Sequence, residues 1–157
     1  MIENDFNPLL FLARMKAISL GLFGILIIPT IGFIYIIYNK LHFTFDITKP
    51  FFLLTVFLFG TILPSGYLFS KIIFRNIDQH DSLRNKLQKY RTGQIFRIVT
   101  CEVIGIMIIF SLVLTSNLLC LIFLFVVIFL MVKYYPTPDK IGREINLTQN
   151  EINIFYD

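Results

Sequence analysis

The sequence predicts an all-α membrane protein with four transmembrane helices arranged as two hairpins. Hydrophobic residues make up 56% of its 157 residues and charged residues only 15%, whereas soluble domains carry about 25% charged residues. The apolar residues come in blocks of about twenty, the length of a helix that crosses the ~30 Å hydrocarbon core. Basic residues collect between alternate blocks, as in multi-pass proteins. At this length we expect one membrane domain, residues 1–157.

The first hairpin is expected to contain spans at about residues 17–39 and 51–70. Each span contains a proline, which removes a backbone hydrogen bond from a helix. Pro29 is expected to kink the first span. Pro64-Ser65-Gly66 is expected to unwind the second span locally.

The second hairpin comes from a run without charge, residues 103–132, which is too long for one crossing. The polar turn Thr115-Ser116-Asn117 divides it. We therefore expect the third span at about residues 94–114 and the fourth at about 118–132.

The basic residues also predict the orientation. Twelve of the fourteen Lys and Arg residues lie in the N-terminal segment, the second loop and the tail, and two lie in the first loop. Positive charge is retained on the cytoplasmic side of a membrane. We therefore expect both termini in the cytoplasm.

A short amphipathic helix is predicted in the loop of residues 71–93, beginning after Asp81 or Ser82 and ending near Gly93. Its apolar face, expected to lie against lipid headgroups, consists of Leu83, Leu87 and Tyr90. The basic residues expected to meet anionic lipid are Arg84, Lys86, Lys89 and Arg91.

The tail, residues 136–157, contains two helix starts. Thr137-Pro138-Asp139 places a proline at the first helical position and an acid in the first turn. Thr148 and Glu151 have the spacing of a capping box. Two short cytoplasmic helices are therefore expected after the fourth span.

Glu102 is the one acid of the ten that falls within a predicted span. It lies five residues beyond Arg97, or about 7.5 Å along a helix. A charge there costs several kcal/mol unless it faces protein or water, or takes up a proton. Ser65 and Tyr67 of the second span are expected at the same depth. The sequence therefore predicts a polar cluster of Glu102 with Ser65 or Tyr67, opposite the unwound turn at Pro64.

Two interpretations of Glu102 remain open. One is a carboxylate that binds a proton or a cation. The other is a structural carboxyl that hydrogen-bonds helices together or reaches the interface beside Arg97. A water-accessible cavity at Glu102 would favour the first interpretation, and a sealed carboxyl would favour the second.

The sequence predicts neither an enzyme nor a cofactor. It contains no Ser-His-Asp set, Cys-His pair or phosphate-binding glycine loop. Asp78-Gln79-His80-Asp81 is better interpreted as a solvated loop than as a metal site. The net charge of +4 follows from the membrane orientation, so no nucleic-acid partner is expected.

Part of the chain, about residues 90–150, resembles a group of small uncharacterised bacterial four-span membrane proteins. These carry an acid early in the third span, a Thr-Gly-Asn-like turn and a Pro-Thr-x-x-Lys-Ile tail. The matching positions are Glu102, Thr115-Ser116-Asn117, and Pro136, Thr137, Lys140, Ile141, Glu144, Ile145 and Leu147. The resemblance implies a bacterial cytoplasmic (inner) membrane and supplies no mechanism. Because Ser116 replaces the glycine of the pattern, we expect Asn117 to adopt the left-handed conformation.

The leading hypothesis is a non-enzymatic inner-membrane protein that acts through association, as an accessory subunit of a membrane complex. Its expected partners are the lipid bilayer and either another membrane protein or further copies of itself. The alternative is a small proton- or cation-coupled transporter or channel subunit that uses Glu102.

Overall fold

The computed structural model describes residues 6–40 and 45–156, and six helices account for most of them. In chain order they are α1 (Pro8–Lys40), α2 (Pro50–Arg75), α3 (Leu83–Thr115), α4 (Leu119–Lys133), α5 (Pro138–Ile145) and α6 (Gln149–Asn153). Three of them, α1 to α3, are long and apolar enough to cross a membrane. A fourth crossing results if α4 and α5, which are bent by 88° at their junction, form one broken span. The chain is thus a helical membrane protein.

Both prolines of the first hairpin lie inside continuous helices, Pro29 in α1 and Pro64 in α2. The predicted local unwinding at residues 64–66 is therefore wrong. A proline removes one backbone hydrogen bond, but the surrounding turns remain helical because unpaired backbone groups are costly in hydrocarbon. Next to Pro64, the hydroxyl of Ser65 donates a hydrogen bond to the Ile62 carbonyl at 2.7 Å.

The predicted loop helix and third span form one continuous helix, α3. Ser82 caps its start, and the Ser82 hydroxyl accepts a hydrogen bond from the Asn85 amide, which confirms one of the two predicted caps. Gly93, however, does not end a helix. A Cβ atom at residue 93 would lie 2.5 Å from Cε1 of Phe74, so the glycine is explained by the close approach of α2 rather than by a turn.

The centre of the bundle is α3. Within the most apolar window of each helix, 61% of the residues are buried in α3, against 17% in α1 and 17% in α2. The main core combines buried residues of α3 and α4, among them Ile104, Ile108, Leu112, Leu124 and Val127. Most of the surface of α1 and α2 therefore remains apolar and uncovered.

The turn between α3 and α4 depends on two polar residues. Ser116, with φ 52°, ends α3 in the left-handed conformation, so the expectation that Asn117 would adopt it is wrong. Asn117 is instead fully buried. Its Oδ1 accepts from the Leu119 amide at 3.0 Å, and its Nδ2 donates to the Asp46 carbonyl at 2.7 Å. These bonds hold the Asn117 side chain inside the turn.

The two tail helices begin where the sequence predicts. Thr137 precedes α5 with an extended backbone, and Pro138 is the first helical residue. Thr148 and Glu151 form a reciprocal capping box at the start of α6. The helix α4 has only 15 residues, about 22 Å of length, and α5 turns sharply away from its end.

A second hydrophobic cluster joins the tail to the bundle. Its buried residues are Phe11, Leu12, Met15, Phe74, Leu87, Tyr90, Ile141, Ile145, Leu147 and Phe155. We call this part of the bundle the basic end, because most of the Lys and Arg residues lie in the segments that build it. Leu87 and Tyr90 are fully buried in the cluster, so the prediction that they face lipid headgroups is wrong. Residues of α1, α2 and the tail complete the cluster around them.

Candidate functional site

The most connected polar residue of the basic end is Arg97 on α3. Its side chain is 4% exposed. Nε donates to the Ser70 hydroxyl of α2 at 3.0 Å, and Nη1 donates to Oε1 of Glu144 in α5 at 2.9 Å. One guanidinium group therefore ties three helices together. Buried charges in proteins are usually paired in this way, because an unpaired one is costly.

Aromatic rings surround the same guanidinium. The Cζ atom of Arg97 lies 4.6 Å from the ring centre of Tyr134, 5.0 Å from that of Phe74 and 5.8 Å from that of Tyr67. Such cation–π contacts replace part of the hydration that burial removes from the charge. The polar network and the rings together fix the position of Arg97.

The acid of this network is incompletely paired. Oε2 of Glu144 is buried without a hydrogen-bond partner among the described residues, and so is the hydroxyl of Tyr90. The two groups are neighbours, and the Tyr90 hydroxyl is placed to interact with the Glu144 carboxylate. Glu144 therefore lies between Arg97 and Tyr90.

A second buried contact lies one turn before Arg97. Gln94 is fully buried, and its side-chain amide donates to the carbonyl oxygen of Tyr134. That carbonyl belongs to the residue that ends α4. Lys140 of α5 donates to the carbonyl of Lys133 beside it. Side chains of α3 and α5 thus satisfy the backbone where α4 ends.

Glu102 lies deeper in α3 and stands apart from this network. It is 6% exposed, and both carboxylate oxygens are buried without a hydrogen-bond partner in the described part of the chain. Glu102 is three residues before Gly105, so the two share a face. Gly105 packs against Leu26 of α1, which places Glu102 on the side of α3 that faces α1.

The predicted hydrogen bonds from Ser65 or Tyr67 to Glu102 are absent from the structure. The Ser65 hydroxyl is used by the Ile62 carbonyl, and Tyr67 is 44% exposed and lies beside Arg97. The residue of α3 that meets Gly66 is Thr100, two positions and therefore about 200° away from Glu102 on the helix. Depth alone placed these residues together, but the rotation of α3 separates them.

A cavity of about 130 Å³ lies between α1, α3 and α4, one turn before Glu102. Its lining includes Ser19, Ile98 and Met131 but not Glu102.

The acid beside Arg97 is Glu144 rather than Glu102. Glu102 therefore forms no ion pair with Arg97 in the described part of the chain.

The four basic residues predicted to meet lipid are not equally accessible. Lys86, 4% exposed, forms a buried ion pair with Glu151 of α6 at 2.8 Å. Lys89, whose side chain is 43% exposed, pairs with Asp81 at 2.6 Å, and Arg84 and Arg91 are exposed. Burial therefore removes Lys86 from the predicted surface, whereas the other three residues remain accessible.

Sequence reasoning did not single out the pair of Arg97 and Glu144. Arg97 was considered only as a marker of the membrane edge, and Glu144 only as one position of the tail pattern. A signal was nevertheless present. Arg97 is three residues after Gln94 and four after Gly93. These three residues therefore share one face of α3, which is polar and contains a small residue where the span begins.

The fold and this network define an all-helical membrane protein whose folded tail is anchored to its central helix. Comparison with family models, with curated proteins and with solved structures gives no significant match. The functional proposals therefore depend on the residues described above.

Proposed function

We propose that the protein is a non-enzymatic membrane protein that acts through association with another membrane protein, as an accessory subunit of a complex. The observation that supports this most is the division of its eight glycines into two groups. A Cβ atom at Gly66, Gly93, Gly105 or Gly142 would collide with a neighbouring side chain. These four glycines are explained by packing within the chain.

The other four glycines have no such explanation. A Cβ atom at Gly21, Gly24, Gly32 or Gly60 would meet nothing within 4 Å. Glycine in a helix interior costs about 0.5–1 kcal/mol relative to alanine. In membrane helices small residues mark the places where another helix approaches closely. A helix of another chain would supply the missing neighbour.

Three of these glycines lie on one face of α1. Residues 21, 24, 28 and 32 fall within about 80° of one another on a helix. Ile28 is 74% exposed. We call Gly21, Gly24, Ile28 and Gly32 the open face of α1. Its alternation of small residues with a bulky one suits the docking of a partner helix.

The tail, by contrast, is a poor candidate for the partner surface. Its apolar residues Ile141, Ile145 and Leu147 are buried against the protein's own helices. The tail therefore contributes to association by holding α3 and α4 in place. The open face of α1 carries the contact.

Co-purification in a gentle detergent from native membranes tests this function. The wild-type chain should retain a reproducible partner, or a second copy of itself, and a double variant Gly21→Leu/Gly32→Leu should lose it. Leu68→Phe is a suitable control because it adds bulk at a position of α2 that is 56% exposed and lies away from the open face. If the wild type retains no reproducible partner, or the double variant retains the same one, the proposal is wrong.

The lack of a hydrogen-bond partner for either Glu102 oxygen in the described part of the chain does not fit a carboxyl that joins helices by hydrogen bonds, and it favours a second candidate function, a small proton- or cation-coupled transporter or channel subunit. A buried carboxyl with two unpartnered oxygens is costly to maintain and is common in ion-binding sites of membrane proteins. In reconstituted vesicles Glu102→Gln should then abolish a pH-dependent flux. An unchanged flux, or no flux in the wild type, would rule this function out.

For the orientation we propose a bacterial inner membrane with the basic end in the cytoplasm, on the strength of the distribution of Lys and Arg residues and of the resemblance. Labelling of cysteines introduced at Arg84 and Asp46 in intact cells distinguishes the two orientations. A cysteine at residue 46 should react with a membrane-impermeant reagent, and one at residue 84 should react only after lysis.

A further inference from the structure

The basic end contains a polar cavity of about 370 Å³ between α2, α3 and α5. This volume is within the range of about 300–1,000 Å³ that is typical of small-molecule sites. Its polar lining includes Tyr67, Lys71, Arg75, Arg97, Glu144 and Asn146. Three cations and one carboxylate line the cavity, so its charge suits an anion.

The cations of this cavity differ in how they are held. Arg97 is buried and fixed by its bonds to Ser70 and Glu144. Those bonds use two of the five N–H donors of a guanidinium group. Lys71 and Arg75 are exposed at the rim. A fixed buried donor with two exposed cations at the rim is an arrangement that suits a phosphate group.

The carboxylate holds the guanidinium in place. Oε1 of Glu144 accepts from Arg97, and Oε2 is buried next to the Tyr90 hydroxyl. Glu144 therefore positions Arg97, and the cations provide the contacts with a ligand.

The position of the cavity indicates where such a ligand comes from. Tyr67 and Lys71 lie near the end of α2, where its apolar sequence gives way to basic residues. Leu68 and Ile72, beside them on the same helix, are 56% and 58% exposed. Tyrosine and lysine are enriched at the headgroup level, and exposed apolar residues next to them face acyl chains. Basic pockets at the end of membrane helices are known to bind anionic headgroups.

We propose that this cavity binds the headgroup of an anionic phospholipid. The phosphate pairs with Arg97, Lys71 and Arg75. The site is independent of the open face of α1.

Lipid retention measured by native mass spectrometry tests this site. The full chain is released from nanodiscs that hold equal parts of phosphatidylglycerol, phosphatidylethanolamine and phosphatidylcholine with the same acyl chains. We expect one phosphatidylglycerol to be retained in preference to the other two lipids. The double variant Lys71→Ala/Arg75→Ala should lower that retention about tenfold.

The matched control is Arg84→Ala/Arg91→Ala, which removes the same charge from exposed residues of the basic end outside this cavity and should leave retention unchanged. Equal loss in both double variants would overturn the site, and so would retention of phosphatidylglycerol no greater than that of phosphatidylcholine. Equal retention of phosphatidylethanolamine would overturn the preference for an anionic headgroup. Displacement of the lipid by millimolar inorganic phosphate would show that free phosphate is the ligand and would overturn the assignment to lipid.

Discussion

The Nη1 atom of Arg97 lies 2.9 Å from the Oε1 atom of Glu144, and this ion pair joins the central helix α3 to the first helix of the tail. Arg97 is the more deeply buried partner, with 4% of its side chain exposed against 23% for Glu144. The tail is therefore part of the folded core of the basic end.

Removal of the Glu144 carboxylate should loosen the tail. Glu144→Ala leaves the Arg97 guanidinium buried without its counter-charge, which should lower the free energy of unfolding by about 2 kcal/mol. Thermal unfolding in detergent measures the loss, and hydrogen exchange should rise most in α5. The double variant Arg97→Met/Glu144→Met removes the charge as well as its partner and should be more stable than Glu144→Ala. Equal or lower stability of the double variant would contradict this account.

The attachment of α6 should depend on pH. Burial alone would raise the pKa of Glu151, but hydrogen bonds from Lys86 and Thr148 outweigh it and hold that pKa below its ordinary value of 4.5. A carboxyl whose pKa is lowered by folding stabilises the fold at pH values above its unfolded pKa and loses this effect as the pH falls through the folded one. The protection of the α6 amides, measured as the ratio of intrinsic to observed exchange rate, should therefore be high at neutral pH and should fall below about pH 4.5. The same fall in Glu151→Gln would show that another group is responsible.

Two glycines of α2 should respond in opposite ways to alanine. A Cβ atom at Gly66 would lie 2.6 to 2.7 Å from three side-chain atoms of Thr100, whereas one at Gly60 would meet nothing within 4 Å. Thr100 is short and branched and cannot move aside, so Gly66→Ala should destabilise the chain by about 1–3 kcal/mol. Gly60→Ala should be neutral or stabilise it by up to ~1 kcal/mol in the purified single chain. Similar unfolding temperatures for the two variants would contradict the packing of α2 on α3.

The left-handed residue at the end of α3 offers a stabilising change. Ser116 has φ 52°, a conformation that glycine adopts without steric cost. Ser116→Gly should therefore raise the free energy of unfolding by about 0.5–1 kcal/mol. Asn117→Gly should lower it, because the buried Asn117 side chain bonds to Leu119 and Asp46. A stabilising Asn117→Gly would show that residue 117 is the one under conformational cost.

Local sequence signals predicted the helical class and most helix starts. A proline at the first helical position, or a polar residue just before it, favours a helix start through contacts within a single turn. This explains why helices begin after Ser82, Thr137 and Thr148, as the sequence predicts. The turn at residues 115–117 was expected for the same reason. Its left-handed residue was assigned to Asn117, because asparagine tolerates that conformation better than serine. In the structure Ser116 adopts it, and the buried Asn117 side chain bonds to Leu119 and Asp46.

Contacts between distant segments were not available from local signals. The spacing of Leu87 and Tyr90 indicates an apolar face but not whether lipid or the tail covers it. The depth of Glu102 was inferred from its distance to Arg97, but its direction depends on the rotation of α3 against α1 and α2. A two-residue difference along a helix, as between Thr100 and Glu102, rotates a side chain by about 200°.

Site-specific photocrosslinking in native membranes tests association through the open face of α1 most directly. A photoreactive residue at position 28 replaces Ile28, which is 74% exposed on that face, and one at position 125 replaces Phe125, which is 71% exposed on α4. The account predicts a discrete protein adduct of reproducible mass from position 28, its loss in the Gly21→Leu/Gly32→Leu background, and none from position 125. Adducts with lipid alone from both positions, or the same protein adducts from both, would contradict it.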